Sequence, residues 1–204
     1  VAILSVFLFL ALCAALVLVT ISVRRPANVP LLAAGAIVVL CLMVVAVAAH
    51  NVPSIVAMAL ALLATALAVV GGNPVTRRIL DIATRGTTRE GVSGGILVAM
   101  HDDGAGDTKA GEVREVLRGG TTIGYLERLA VALAIVAGYP EAIAVVVAIK
   151  GIGRFSELDT APVRERFIVG TLASLLWACA VAAIVRLDDL RPPLRAATGA
   201  AADV

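Results

Sequence analysis

Residues 1–23 of this chain have the sequence VAILSVFLFLALCAALVLVTISV, in which no side chain is charged. A helix needs about 20 apolar residues to cross the hydrocarbon core of a bilayer, which is roughly 30 Å thick. This run meets that length and is followed by Arg24 and Arg25. It therefore predicts a transmembrane helix with a basic flank.

The composition of the whole chain indicates the same class of protein. Hydrophobic residues make up 60% of the 204 residues and charged residues only 16%, well below the roughly 25% that is usual in soluble domains. The net charge is only +2 and aromatic residues make up 3%, so the chain lacks the basic surface and the stacking side chains that nucleic-acid binding uses. We expect an all-α integral membrane protein that does not bind nucleic acid.

Further apolar runs predict about six transmembrane helices in all. The second, third, fourth and sixth are predicted at residues 31–49, 53–71, 121–138 and 166–185. The fifth, at about 140–153, is short and crosses the bilayer only if Lys150 and Arg154 extend their charged heads to the interface. A re-entrant segment is the alternative for this fifth run.

Residues 72–120 differ in kind, since they combine many basic residues and glycines with no long apolar run. We predict a cytosolic insert here, with a short amphipathic helix at residues 75–84. Two strands are expected at residues 94–101 and 112–117, on either side of a turn-rich stretch, and together they predict a small β-hairpin.

The expected organisation has two membrane halves separated by this insert. The first three-helix half covers residues 1–71, the second covers residues 121–186, and a flexible tail follows at 187–204. Lys and Arg gather in cytoplasmic loops, so the basic residues after the first span, in the insert and before the sixth span place those connections in the cytoplasm. Both chain ends then lie on the outer side.

The candidate functional residues are the charges within and beside the last three apolar runs: Glu127, Arg128, Lys150, Arg154, Glu157, Arg164 and Arg166. Charged side chains at membrane depth are expensive and usually functional. Helical spacing brings those of three different helices to one depth in the cytoplasmic leaflet. We therefore consider two interpretations of this cluster.

In the first interpretation the cluster binds an anionic group, such as a lipid headgroup or a phosphate, because basic sites between helices on the cytoplasmic side recognise such groups. Glu127 would orient or neutralise Lys150, Arg128 and Arg154 would hold the anion with Lys150, and Arg164 or Arg166 would guard the entrance. The protein would then be a lipid-binding or transport-related one, with anionic membrane lipids as partners.

In the second interpretation the same charges form structural ion pairs, Glu127 with Lys150 or Arg154 and Glu157 with Arg164. The chain would be an accessory or scaffold subunit of a larger membrane complex, or a homo-oligomer. Its small residues Gly170, Ser174 and Ala178, with Gly124, Gly151 and Gly153, would let helices pack closely. Trp177, in the middle of a span, is expected to donate its indole N–H to an internal hydroxyl or carbonyl.

An enzyme acting on a lipid phosphate is a weaker third possibility, since no nucleophile stands beside a general base and no catalytic or cofactor motif is present. We expect no cofactor and no metal. The cluster of His101, Asp102, Asp103 and Asp107 fits no calcium-binding loop, and the cysteines at 13, 41 and 179 all lie in apolar runs as small hydrophobic side chains do.

The second half of the chain resembles a group of bacterial multi-pass membrane proteins that have no established activity. The resemblance is carried by residues 117–158, LRGGTTIGYLERLAVALAIVAGYPEAIAVVVAIKGIGRFSEL, and by residues 164–178, RERFIVGTLASLLWA. The shared pattern is IGxLER, then AxKxxxR followed by an aromatic residue and xEL, then IGTxxS, of which the isoleucine is Val169 here. The resemblance implies a bacterial inner-membrane protein but supplies no function.

Overall fold

The structure is a computed structural model that describes residues 2–24, 28–47, 54–83, 89–90, 96–99, 113–116, 120–155, 158 and 161–189. These residues contain six helices: α1 (Ala2–Arg24), α2 (Asn28–Val47), α3 (Ser54–Ala83), α4 (Gly120–Val136), α5 (Ala142–Arg154) and α6 (Ala161–Asp189). The helices determine the fold of the described part of the chain.

Four helices, α1, α2, α3 and α6, are long and apolar enough to cross a membrane. Their outward faces carry large apolar side chains, for example Ile3 at 88%, Val47 at 84% and Leu62 at 69% exposure. Contiguous apolar surface of this extent is unfavourable in water and favourable against lipid tails. The helices therefore indicate a membrane protein.

The other two helices are shorter than the predicted fourth and fifth spans. At a rise of 1.5 Å per residue, the 17 residues of α4 extend about 25 Å and the 13 residues of α5 about 20 Å. Neither helix reaches the length needed to cross roughly 30 Å of hydrocarbon unaided. The structure therefore supports four spanning helices by length, rather than the expected six.

Helix α3 is longer than the sequence predicts. The expected span stops at residue 71, because Gly71, Gly72 and Pro74 are typical of a helix end, yet the helix continues through Pro74 to Ala83. The short amphipathic helix predicted at 75–84 is thus the last part of α3. Pro74 cannot donate a backbone hydrogen bond to the carbonyl of Val70, but neighbouring helices stabilise this segment, as they do around prolines in membrane helices.

The packing centres on α3 and α6, which share the largest interface between described helices. Helices α1 and α2 pack on one side of this pair and α4 on the other. Side chains from several helices form the common core, including Leu12, Leu67, Val131 and Val181. Helix α5 contacts α4 and buries none of its own residues.

Helix α4 runs in the same direction as α6. Its Arg128 lies level with Ser174, to which it donates a hydrogen bond, and Gly138, just after α4, lies close to Arg186 at the other end of α6. Gly138 has φ +81°, a conformation that glycine adopts without strain. The turn at Gly138 returns the chain, so that α5 runs back along α4.

Three short strands lie between α3 and α4: β1 (Arg89–Glu90), β2 (Ile96–Ala99) and β3 (Val113–Val116). β2 pairs antiparallel with both β1 and β3. Strands β2 and β3 fall where the sequence predicts strands, while residues 100–112, which join them, lie outside the described residues. A cytosolic β-hairpin insert therefore stays a prediction, and the described fold rests on its helices.

Candidate functional site

The centre of the candidate site is Arg128 in α4, which is only 2% exposed. Its Nε donates to the carbonyl of Val69 at 2.9 Å, its Nη1 to Oγ of Ser174 at 2.8 Å and its Nη2 to Oδ1 of Asn73 at 2.7 Å. The guanidinium carbon lies 5.2 Å from the ring centroid of Tyr125, within the range of a cation–π contact. One side chain thus connects α4 to both α3 and α6.

All three hydrogen-bond acceptors of Arg128 are neutral. An isolated charge costs several kcal/mol to bury, even after relaxation of the surroundings. The adjacent carboxylate, Glu127, pairs with Lys150 instead. The positive charge of Arg128 is therefore hydrogen-bonded, but it is not matched by a carboxylate of its own among the described residues.

The local sequence of α3 makes room for this side chain. A Cβ atom at Gly72 would overlap Cδ and Nε of Arg128, so only glycine lets the guanidinium cross α3 here. The next residue, Asn73, supplies an acceptor for Nη2. Within α4 itself, a Cβ at Gly124 would lie 3.1 Å from Nη1 of Arg128.

The neighbouring glycine serves a second cross-helix contact. A Cβ at Gly71 would lie 2.6 Å from Cζ2 of Trp177, and the indole Nε1 donates to the carbonyl of Leu67 at 3.3 Å. This confirms the prediction that Trp177 has an internal acceptor. Gly71 and Gly72 therefore let the side chains of Trp177 and Arg128 approach the backbone of α3. The expectation that the two glycines end a helix is wrong, because α3 continues to Ala83.

Lys150 of α5 forms an ion pair with Glu127 of α4, as both interpretations of the sequence predict. Glu127 is 7% exposed, and its second oxygen, Oε1, is buried without a hydrogen-bond partner among the described residues. The Lys150 ammonium also lies 5.8 Å from the ring centroid of Phe167. This ion pair is a polar contact between α5 and the helix bundle.

Beside Arg128 lies a partly open cavity of about 140 Å³ between α3, α4, α5 and α6. Five basic residues line it: Arg77, Arg128, Lys150, Arg154 and Arg166. Arg77, Arg154 and Arg166 also make other interactions. Among the residues that the structure describes, no aspartate or glutamate lines the cavity, so the charged residues along its walls are all basic.

Polar neutral groups complete the walls of this cavity. Asn73 and Thr76 line it from α3, Thr121 from α4, and Thr171 and Ser174 from α6. The hydroxyl oxygens of Thr76 and Thr171 are buried and have no hydrogen-bond partner among the described residues. Buried hydroxyls are normally hydrogen-bonded, so these two are exceptions in the wall of the cavity.

Four of the seven predicted site residues meet at the cavity: Arg128, Lys150, Arg154 and Arg166. Glu127 stands behind it as the partner of Lys150. Arg164 is exposed and donates to the carbonyl of Leu158 at 3.3 Å, and it does not line the cavity. Glu157, with its predicted pair to Arg164, lies outside the described residues.

Sequence reasoning missed the contribution of α3, which supplies Asn73, Thr76 and Arg77. The signal was the interruption of an apolar run by Asn73 and Pro74, which resembled a helix end. Sequence reasoning also assigned Thr171 of α6 no role in the site, although it lines the cavity. The predicted packing face of α6 is confirmed, since Gly170 contacts Thr76 and Leu80, but Gly151 and Gly153 face open space and do not bring helices together.

The sequence offered no metal site, and the described residues contain no group of histidine, cysteine and acidic side chains that could hold one. The cluster at 101–107 lies outside the described residues. Comparison with protein-family models, with curated proteins and with solved structures finds no match.

Proposed function

We propose that this chain is a multi-pass membrane protein that binds an anionic group, a lipid headgroup or a phosphate, in the cavity beside Arg128. The observation that carries the proposal is the lining: five basic side chains face a cavity to which the described residues contribute no carboxylate. Because Arg128 is buried with only neutral partners, a bound anion would stabilise it. Binding or transport of that anion is the function that the site supports best.

The proposal places this cavity at the cytoplasmic side. The short connections between α1, α2 and α3 make these helices alternate in direction, so Arg24 of α1 and Arg77 of α3 lie at the same end of the bundle. Arg166 of α6 lies at that end too, because α6 runs against α3. By the positive-inside rule, this end faces the cytoplasm, in the inner membrane that the resemblance implies.

The finer topology is part of the proposal. Because α5 runs back along α4, the chain begins α4 and ends α5 on the same side of the membrane. The start of α1 and the end of α6 are therefore on the outer side, whether four or six helices cross. A single cysteine at residue 50 is expected to react with an impermeant thiol reagent from the outside in either case. A single cysteine at residue 139 is expected to do so only if α4 and α5 cross. Labelling at 50 from the cytoplasmic side would contradict the orientation.

The test of binding compares two arginines of α6 that lie two residues apart. Arg166 is buried and lines the cavity, whereas Arg164 is exposed and does not. Arg166→Gln is expected to weaken retention of anionic lipid or phosphate by about tenfold, the effect of one lost charge-assisted hydrogen bond. Arg164→Gln is the matched control and should bind as the parent does.

Arg154→Gln provides a second variant from a different helix, and it should act in the same direction as Arg166→Gln. Binding is measured on purified protein by calorimetry, and circular dichroism checks that each variant is folded. If both variants remain folded and retain the anion as tightly as Arg164→Gln, the cavity is not the binding site.

The second candidate function is an accessory or scaffold subunit in which the charges lock the helices. The Glu127 pair with Lys150 and the three hydrogen bonds of Arg128 support it, since each joins separate helices. A scaffold would leave the membrane with stoichiometric partner proteins. A binding protein would purify alone or as a homo-oligomer and carry bound lipid or phosphate.

A further inference from the structure

We infer that the proposed anion site is coupled to a proton: Glu127 takes up a proton when an anion binds in the cavity and releases it when the anion leaves. The proton comes from the solvent and adds to an oxygen of the carboxylate. The inference rests on the proposed anion binding and adds a proton as a second ligand of the same site. It is drawn from the position of the ion pair of Glu127 with Lys150.

Glu127 of α4 is a buried carboxylate that is paired through one oxygen. Its Oε2 contacts the ammonium of Lys150, and its Oε1 is buried with no hydrogen-bond partner among the described residues. The side chain is only 7% exposed, so water does little to solvate its charge. Arg128, the next residue, directs its hydrogen bonds to α3 and α6 instead. The ionised form of Glu127 therefore depends strongly on Lys150.

Lys150 of α5 connects this carboxylate to the cavity. It belongs both to the ion pair and to the cavity wall, and its side chain is 18% exposed. Glu127 itself does not line the cavity. Because the cavity has a volume of only about 140 Å³, an anion within it would lie close to Lys150. The anion and Glu127 would then share one cation.

Sharing a cation changes the protonation of the carboxylate. The interaction between two charges depends on their distance and needs no particular direction of a donor. A second negative charge nearby disfavours the ionised form of a carboxylate, as it does where two carboxylates hold one proton. The other charged residues around the cavity come from all four helices: Arg77 of α3, Arg128 of α4, Arg154 of α5 and Arg166 of α6. These cations favour ionised Glu127, and a bound anion would offset them, so both effects lead to proton uptake.

The coupling has a definite sign. Since binding takes up a proton, the affinity for the anion should fall as pH increases, by up to about tenfold per pH unit. The proton and the anion each favour binding of the other by the same factor. Acidic residues at membrane depth act as proton carriers in pumps and transporters. In a transporter, such a coupling lets a proton gradient drive the movement of the anion.

Calorimetry on the purified full chain measures the coupling. Sulfate is the probe, because it takes up no proton itself near neutral pH. Titrations in Tris and in Bis-Tris, whose enthalpies of ionisation differ, give the number of protons taken up with each sulfate. We expect uptake of up to about one proton in the parent and none in Glu127→Gln. Glu141→Gln is the matched control, since Glu141 is exposed at the start of α5, and it should keep the uptake of the parent.

Infrared difference spectra identify the group that takes up the proton. Addition of sulfate to the parent is expected to produce the C=O stretching band of a protonated carboxylic acid, and this band should be missing in Glu127→Gln. If that variant does not fold, Glu127→Asp keeps a carboxyl group and is expected to shift the band. A band that stays in place would assign the proton to another group and overturn the inference.

The outcomes separate this inference from the proposed function. If sulfate binds with no proton uptake and with an affinity that is independent of pH, or if folded Glu127→Gln keeps the uptake, the coupling is wrong while the anion site stands. For a site that accepts only lipid, the same infrared band is compared between nanodiscs of phosphatidylglycerol and of phosphatidylcholine. Retention of phosphatidylglycerol without the band again refutes the coupling alone. If neither sulfate nor phosphatidylglycerol binds, both proposals fail.

Discussion

At the scale of single residues, the central feature is the buried guanidinium of Arg128, which donates its hydrogen bonds to protein acceptors instead of water. Arg128 reaches a backbone carbonyl, a hydroxyl and an amide on two other helices. Hydrogen bonds of a charged group contribute about 1.5–3 kcal/mol each, so this side chain stabilises the packing of three helices. The same environment leaves its charge available to an anion in the cavity.

Gly72 tests this arrangement without changing any charge. Gly72→Ala is expected to lower the melting temperature clearly, because the new Cβ would overlap Cδ and Nε of Arg128 and overpacking costs about 1–3 kcal/mol. The measurement is thermal unfolding in detergent.

Gly35→Ala is the matched control for this prediction. It lies in α2, and a Cβ there meets no atom within 4 Å, so helix propensity alone predicts a gain of about 0.5–1 kcal/mol. Equal melting temperatures for the two alanine variants would show that Arg128 does not occupy the space beside Gly72.

The sequence predicted part of this residue-scale picture. Arg128 could be selected because a charge inside an apolar run is rarely incidental. Its acceptors could not be selected, because Asn73 and Ser174 are 55 and 46 residues away from it in the chain and ordinary in isolation. Sequence spacing also could not separate Arg164 from Arg166, which lie two residues apart but on different faces of α6, one exposed and one lining the cavity.

At the scale of helices, α5 differs from the others. It buries none of its residues, and it is joined to the bundle by the turn at Gly138 and by the pair of Lys150 with Glu127. Since Lys150 also lines the cavity, an anion bound as proposed would share this cation with Glu127. Under the proposed function, the position of α5 would then depend on whether the cavity is occupied.

A double-mutant cycle measures what this pair contributes. Lys150→Met leaves the buried Glu127 without a cation, and we expect a loss of roughly 3 kcal/mol in stability. The double variant with Glu127→Gln should recover much of that loss, because it removes both charges. Arg78→Met, at an exposed position in α3, is the control, and a double variant whose loss equals the sum of the single losses would show that the two residues are not coupled.

The helices show which sequence signals are reliable in a membrane protein. Long apolar runs predicted the locations of α1, α2 and α6 because their length is set by the bilayer. The end of α3 was predicted wrongly, because glycine and proline end helices in water but are tolerated where adjacent helices satisfy the backbone. Helices α4 and α5 lie within two residues of the predicted fourth and fifth runs, but both are too short to cross the bilayer unaided.

At the scale of the whole molecule, most of the described basic side chains lie at one end of the bundle, Arg186 being at the other, and the cavity opens among them. In the proposed orientation, cytoplasmic phosphate and inner-leaflet headgroups could reach the proposed anion site. The exposed apolar faces of α1, α2 and α3 are suited to contact with lipid tails. The sequence predicted a site at the cytoplasmic end of the last three apolar runs. It did not predict that α3 forms part of the cavity wall.

The most direct test of this account is an experimental structure of the protein in nanodiscs that contain anionic phospholipid. We predict non-protein density in the cavity, within hydrogen-bonding distance of Arg128 and close to Arg166. A well-resolved cavity that is closed by protein side chains, or that holds only water while each of its basic side chains contacts a carboxylate, would contradict the central claim that this site binds an anion.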